Sequence, residues 1–210
     1  MNQKNGKNSL GLDSCFEDLD NPIGLFKKWF SKAEENEIND PNAVAVATSD
    51  QNNQPNVRVV LLKGLNDKGF VFYTNFNSKK GKELKVNQKA SMCFHWKSLR
   101  RQVRILGKVE EVTTKEADDY YNSRPYKNRI SAWASSQSQI LEKREIFLNK
   151  IKEFEKKYPD EKNVPRPPHW SGWRLLPNEI EFWVDGEGRI HERLIYKNIK
   201  GKWKKEILYP

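Results

Sequence analysis

Lysine and serine side chains are grouped in one short stretch of this 210-residue sequence in a pattern that favours phosphate binding. In S-K-K-G-K, Ser78 can cap a helix whose opening residues are Lys79 and Lys80, so free backbone N–H groups and ammonium groups would converge on one point. A phosphate fits such a point. The alternative is a solvated lysine face, which is the commoner meaning of a lysine run taken alone.

A second stretch, R-I-H-E-R, carries the most specific local pattern in the chain. If it is a β-strand, side-chain alternation places Arg189, His191 and Arg193 on one face. Two guanidinium groups beside one imidazole repel each other unless an anionic or electron-rich group lies against them. We therefore predict a site here, with an exposed charged strand face as the alternative.

The usual motifs of metal, nucleotide-hydrolysing and acyl-transfer enzymes are missing from the sequence, which has no HExxH, Walker loop, GxGxxG, GxSxG or cysteine-based triad. Cys15 and Cys93 are far apart and lack metal or redox spacing, so we expect two free thiols and no metal site. With no obvious nucleophile but several phosphate-ready clusters, a bound organic cofactor is the simplest hypothesis.

The net charge of +10 implies anionic partners. The lysines are spread along the chain among 28 acidic residues and form no basic stripe, so small phosphorylated molecules are favoured over nucleic acid. No apolar run approaches a membrane span, and the N-terminal segment is polar. We expect a soluble, cytoplasmic protein.

The elements that must position these residues are mostly strands. Residues 57–62 and 70–74 are apolar runs on either side of a turn, which predicts a hairpin next to the lysine cluster. Arg58 and Lys63 have opposite parity in the first run, so an ideal strand would direct their side chains to opposite faces. Both could contact a ligand only if a bulge occurs near Lys63 or if ligand groups approach the strand from two sides.

The rest of the chain predicts about seven mostly antiparallel strands and three or four helices. Helices are expected from Pro22, from a capping box at Thr113, and from Ile140 to Tyr158; a final hairpin is expected around residues 185–188. The predicted fold is mainly β with peripheral helices (α+β), an antiparallel split β-barrel of one domain (21–210) after a flexible arm (1–20).

From Pro22 to Pro210 the sequence resembles the pyridoxine/pyridoxamine 5′-phosphate oxidases. The motifs that carry this resemblance occur in the order and spacing of that family. They are RVVLLK (58–63), FYTN (72–75), SKKGKEL (78–84), RQVRILG (101–107), YYNSRP (120–125), the pair Gln137 and Ser138, EFW (181–183) and RIHERLIY (189–196).

The resemblance implies a homodimer with FMN at the subunit interface. The implied reaction oxidises pyridoxamine or pyridoxine 5′-phosphate to pyridoxal 5′-phosphate, with hydride transfer to FMN and reoxidation by O2 to give H2O2. The implied flavin contacts are Arg58, Val59, Val60, Leu61, Lys63, Tyr73, Thr74, Lys79, Lys80, Gln102, Gln137, Ser138, Trp183 and Arg193. The implied substrate contacts are Lys63, Tyr120, Arg124, Asn128, Arg189 and His191, of which Arg189 and His191 are the catalytic pair.

Two features depart from the family pattern. Asn128 stands where the family usually has a serine; because an amide also donates hydrogen bonds, we expect changed affinity and retained function. Residues 1–20 lack the Arg and Tyr pair that some members close over the active site. Two alternative hypotheses remain: another split-barrel FMN oxidoreductase with a different substrate, and a basic nucleic-acid-binding barrel.

Overall fold

The computed structural model describes residues 6–210, and this part of the chain contains nine strands and five α-helices. The helices are α1 (Pro22–Asn36), α2 (Lys79–Val86), α3 (Thr114–Ser123), α4 (Tyr126–Ala134) and α5 (Arg144–Lys157). The strands are β1 (Ala43–Ser49), β2 (Pro55–Leu61), β3 (Gly64–Asn66), β4 (Gly69–Asn75), β5 (Lys89–Trp96), β6 (Arg101–Glu111), β7 (Trp170–Val184), β8 (Glu192–Ile199) and β9 (Lys202–Leu208).

All strands belong to one antiparallel sheet of order β2-β1-β5-β6-β7-β4-β3, to which β8 and β9 are added beside β7. The strands β2 and β3 lie at opposite ends of this path, yet only Leu62 and Lys63 separate them in sequence. A two-residue link can join both ends only if the sheet curls round until they meet. The split β-barrel predicted from the sequence is therefore confirmed, with its seam beside Lys63.

A bulge between β6 and β7 helps the sheet to curl. The pairing register shifts between Leu106 and Gly107, and such shifts bend a strand and increase its twist. At Gly107 a Cβ atom would lie 2.0 Å from the carbonyl oxygen of Leu176, so only glycine allows the two strands to approach this closely.

The interior of the barrel is filled by aromatic side chains. Phe26, Phe70 and Phe94 are fully buried, with ring centroids 4.8 Å (Phe26 to Phe70) and 5.1 Å (Phe26 to Phe94) apart. Phe26 belongs to α1, the helix predicted from Pro22; the Asn21 side chain accepts from the Ile23 N–H, and the apolar face of the helix is buried. Each large side chain buried here contributes roughly 1.5–3 kcal/mol.

The hairpin predicted between residues 57–62 and 70–74 is wrong. β2 pairs with β1, and β4 pairs with β3 and β7. The turn residues close a shorter hairpin, because the Asn66 side chain accepts hydrogen bonds from the backbone N–H groups of Lys68 and Gly69. Lys63 lies beyond the end of β2, so the predicted parity conflict with Arg58 does not arise.

The strand predicted for R-I-H-E-R is also wrong at its start, because β8 begins only at Glu192. Arg189 ends a short 3-10 turn (Glu187–Arg189) and has a φ of +63°. The loop folds back so tightly that a Cβ atom on Gly186 would lie 1.9 Å from the carbonyl oxygen of Ile190. Arg189, His191 and Arg193 therefore do not share one strand face.

Residues 6–20 contact the barrel; they are the described part of the segment 1–20 that was expected to be a flexible arm, and residues 1–5 lie outside the described residues. Leu12 and Phe16 are buried. The indole N–H of Trp29 donates to the Cys15 carbonyl at 2.7 Å, and the Tyr196 hydroxyl donates to the Leu19 carbonyl at 2.8 Å. The physical reason is the apolar content of this segment, which gains stability by burial.

The helices α3, α4 and α5 lie outside the barrel. The capping box at Thr113 and Glu116 is present, as predicted. The long helix expected from Ile140 to Tyr158 is shorter, and none of its residues is buried. Within the described range, no helix is long and apolar enough to cross a membrane.

Candidate active site

A cleft of about 620 Å³ opens where the barrel seam meets α3 and α4. Strands β2 and β4 supply one wall, and the ends of α3 and α4 supply the other. Its size lies within the range of small-ligand sites. The predicted site residues that line it are Val59, Val60, Leu61, Lys63, Tyr73, Thr74, Lys80, Tyr120, Arg124, Asn128 and Gln137.

Three aromatic rings are stacked beside this cleft. Tyr73 and Tyr120 stack with ring centroids 4.0 Å apart, and Trp170 lies parallel to Tyr73 at 5.3 Å. Burial raises the pKa of Tyr73 to about 12 and also raises the pKa of Tyr120. Both phenols therefore stay neutral at physiological pH and offer flat apolar surface with a polar tip.

Arg124 is the cleft residue with the clearest unmet bonding capacity. It caps the C-terminus of α3, and its guanidinium lies 4.8 Å from the Trp170 ring. Its Nη1 atom is buried and has no hydrogen-bond partner among the described residues. Burial lowers the pKa of Arg124, because desolvation disfavours its charge. A desolvated cation with an unused donor is suited to bind an anionic group.

The predicted phosphate cluster, Ser78 to Lys80, lies at the start of α2, and the helix cap expected there is present. Ser78 caps the helix by accepting from the Gly81 N–H at 3.3 Å. Lys80 Nζ donates to Thr74 Oγ1 at 3.1 Å and to Gln137 Oε1 at 3.0 Å. Burial, and then the neighbouring charge of Arg58, lowers the Lys80 pKa to about 8. The ammonium group thus faces the cleft in a poorly solvated position that an anion would stabilise.

Gly81 allows this helix to begin where it does. A Cβ atom at this position would lie 2.4 Å from the carbonyl oxygen of Phe76, in the loop that leads from β4 into α2. The helix N-terminus and its free backbone donors are consequently held against the end of β4, next to Thr74.

Arg58 lies beside the cleft lining and is bound by the protein itself. Its Nη1 donates to the Val46 carbonyl at 3.1 Å and to Thr48 Oγ1 at 2.6 Å, and its Nη2 lies 3.1 Å from Glu83 Oε2. Glu83 and Thr48 were not among the site residues predicted from the sequence. The position of Glu83 on the buried side of α2 was the signal that could have identified it.

A second group of predicted residues lies where the start of β6, the end of β7 and the start of β8 are neighbours in the sheet. Gln102 pairs with Trp183 in the sheet register, and Trp183 pairs with Arg193. The His191 ring lies 4.7 Å from the Trp183 ring, and its Nδ1 is 3.1 Å from Asp185 Oδ1. We call Gln102, Trp183, His191 and Arg193, together with Arg189, the β7–β8 patch.

The patch does not contribute to the lining of the cleft in this single chain. Arg193 is held by a carboxylate, Glu181, that is almost fully buried. Arg189 is exposed in its turn. Of the other predicted flavin contacts, Lys79 is exposed in the first turn of α2, and Ser138 lies in the loop after α4, next to Gln137. The role of each individual residue stays a prediction.

The fold defines a split-barrel protein whose cleft is lined by the cationic side chains of Lys63, Lys80 and Arg124, and comparison with known proteins identifies its family. The chain belongs to the pyridoxamine 5′-phosphate oxidase family: residues 30–158 match the family model for "Pyridoxamine 5′-phosphate oxidase". Residues 170–210 match the model for the "Pyridoxine 5′-phosphate oxidase C-terminal dimerisation region".

Curated relatives extend this likeness over nearly the whole chain. A pyridoxine/pyridoxamine 5′-phosphate oxidase of Pelagibacter ubique is 61% identical and covers 98% of this chain and 100% of the relative. One of Sinorhizobium fredii with the same name is 53% identical and covers 93% and 95%.

Solved structures share the fold. PhzG from Burkholderia lata, in complex with tetrahydrophenazine-1-carboxylic acid, is 30% identical with a TM-score of 0.88, covering 98% of this chain and 100% of that one. A pyridoxamine 5′-phosphate oxidase-related, FMN binding protein of Nostoc punctiforme is 18% identical with a TM-score of 0.73, covering 92% and 99%. At 18% identity the likeness concerns the fold alone.

Proposed function

We propose that this protein is an FMN-dependent oxidase that converts pyridoxamine 5′-phosphate and pyridoxine 5′-phosphate to pyridoxal 5′-phosphate. Membership of the family and the names of relatives at 50–61% identity support this assignment. The observation that carries it is the buried Nη1 of Arg124, which lacks a partner among the described residues of the cleft. A phosphorylated substrate supplies the missing acceptor.

The donor set fits the cofactor. Lys79, Lys80 and the free backbone N–H groups of α2 would hold the FMN phosphate, with Arg58 beside them. Ser138 would add a hydroxyl, and Gln137 an amide at the ring system. Bound FMN would accept the hydride that leaves the substrate C4′ carbon, and O2 would take up two electrons and two protons to leave as H2O2. With pyridoxamine 5′-phosphate, water would also hydrolyse the oxidised amine and release ammonia.

The chain's own residues would orient the substrate. Arg124 and Lys63 would neutralise its phosphate, and Tyr120 and Asn128 would donate hydrogen bonds to it. Arg189 and His191 would lie against the pyridine ring. Holding the reacting carbon in contact with the hydride acceptor supplies much of the rate enhancement, because it removes the entropy cost of bringing the two together.

A homodimer would complete the site. The edge strand β2 exposes Val57, Val59 and Leu61, an apolar row that an isolated barrel would leave in water. The match of residues 170–210 to a dimerisation region supports burial by a second copy. In this arrangement the β7–β8 patch of one subunit would face the cleft of the other, so that Arg189 and His191 act across the interface.

The visible spectrum provides the test. We expect the purified protein to be yellow with bound FMN, and anaerobic addition of pyridoxine 5′-phosphate to bleach the flavin absorbance. Air should restore the colour and yield H2O2. Unphosphorylated pyridoxine at the same concentration is the matched control and should bleach far more slowly. A colourless protein that ignores added FMN, or equal bleaching by both compounds, would contradict the proposal.

A further inference from the structure

The buried carboxylate of Glu83 lies under the predicted phosphate cluster and has no place in the reaction proposed above. Its side chain is 4% exposed, and it comes from α2, the same helix that presents Lys79 and Lys80. A carboxylate this deeply buried is costly unless it is hydrogen-bonded and paired. Glu83 meets that condition through three residues on two neighbouring strands.

Those three residues form one connected network. The Thr48 hydroxyl donates to Glu83 Oε2 and accepts from Arg58 Nη1 at 2.6 Å. The side chain of Asn56 donates to the other carboxylate oxygen at 3.3 Å. Arg58 Nη2 donates to Glu83 Oε2 at 3.1 Å. Because Thr48 and Glu83 are both buried, water cannot replace their hydrogen bonds, and these bonds fix the guanidinium plane of the partly buried Arg58.

The network leaves part of Arg58 free. A guanidinium has five N–H donors, and Arg58 uses three of them for hydrogen bonds to Val46, Thr48 and Glu83. The remaining donors are oriented without further loss of side-chain entropy, which is the condition for bidentate binding of a phosphate. Glu83 also offsets the repulsion between Arg58 and Lys80, since its charge raises the Lys80 pKa while that of Arg58 lowers it.

We infer that Glu83 is a positioning residue for the cofactor phosphate: it holds Arg58 in the orientation that binds FMN and keeps Arg58 and Lys80 charged side by side. The inference rests on the proposed function, because it takes FMN as the ligand. Loss of the Glu83 charge would by itself strengthen attraction for an anion. The loss of a fixed Arg58 and a charged Lys80 outweighs this, because both act at contact distance on the phosphate.

The test compares FMN with riboflavin, which lacks only the phosphate. Flavin-fluorescence titration of the apoprotein gives both dissociation constants without any turnover. For Glu83→Gln we expect FMN affinity to fall about tenfold or more while riboflavin affinity changes less than about twofold. Glu110→Gln is the matched control: it removes a carboxylate that also pairs with an arginine, Arg174, away from the cleft lining, and should change neither constant.

A double-mutant cycle separates positioning from a purely structural role. In an Arg58→Gln background, Glu83→Gln should cause no further loss of FMN affinity. Thr48→Val keeps the side-chain shape and removes the shared hydroxyl, so it should lower FMN affinity severalfold even if Glu83→Gln fails to fold. Equal losses for FMN and riboflavin, additive effects in the cycle, or unchanged or tighter FMN binding would overturn the inference. A wild-type protein that binds no FMN would overturn the proposed function itself.

Discussion

The substitution Arg124→Gln tests the anion-binding part of the cleft. Arg124 Nη1 is buried without a partner among the described residues, so the substrate phosphate could accept a hydrogen bond from it without displacing a protein acceptor. A hydrogen bond to a charged group contributes about 1.5–3 kcal/mol. Since about 1.4 kcal/mol corresponds to a factor of ten, we expect kcat/KM for pyridoxine 5′-phosphate to fall about 10-fold to 150-fold.

The same change should not destabilise the free protein. Burial lowers the Arg124 pKa, which means that the folded state holds this charge at a cost. Glutamine removes the cost and keeps part of the contact with Trp170, so we expect an equal or higher Tm. Such opposite effects on stability and function are typical of residues whose hydrogen-bond partner is supplied by the ligand.

Arg166→Gln is the matched control. Arg166 donates to the Trp170 carbonyl at 2.7 Å, but it pairs with Asp118 at 2.6 Å and does not line the cleft. Here we expect a lower Tm, with kcat/KM within about threefold of wild type. Steady-state peroxide production, thermal unfolding and the FMN dissociation constant together form the assay. A loss of kcat/KM below about threefold in Arg124→Gln, or a parallel loss of FMN affinity, would refute the reasoning.

Three further predictions concern other parts of the molecule. The Lys80 pKa lies near 8, so apoprotein affinity for FMN should fall as pH rises through about 8, and fluorescence titrations of Lys80→Met should lose that pH dependence. Val59→Asp places a charge in the exposed apolar row of β2; sedimentation should then detect monomer, and FMN affinity should fall, whereas an unchanged dimer contradicts the proposed interface. Glu116→Gln keeps an acceptor for the capping box at Thr113 but removes the carboxylate charge that pairs with Arg174, and it should lower the free energy of unfolding by about 1 kcal/mol. Hydrogen bonding by Thr113 lowers the Glu116 pKa, so this difference should be present at neutral pH and disappear as pH falls below about 4.5.

Local patterns were sufficient for the elements whose structure depends on their own residues. The helix α1, the hairpin around residues 185–188 that joins β7 and β8, and the capped start of α3 were all predicted correctly. In each case the signal is short-range: an apolar stripe, an alternation of side chains, or a side chain that caps a nearby N–H group. The helix cap at Ser78 belongs to the same class.

Long-range pairing was where sequence patterns failed. Residues 57–62 and 70–74 look like a hairpin, because both are apolar and a turn lies between them. The closure of the sheet decides otherwise, since it assigns β2 to β1 and β4 to β7. The loop before Glu192 was misread for a similar reason: strand alternation says nothing about where a strand begins.

The sequence by itself determined which residues are candidates for phosphate binding and which family the chain resembles. Both follow from collinear motifs and helix caps, which are properties of neighbouring residues. The tertiary structure alone decided which of them meet. The curl of the sheet brings Lys63, Lys80 and Arg124 into one cleft, buries Glu83 against Arg58, and leaves the β7–β8 patch outside the lining of that cleft. Contacts between residues this distant depend on how the whole barrel closes, which no local pattern specifies.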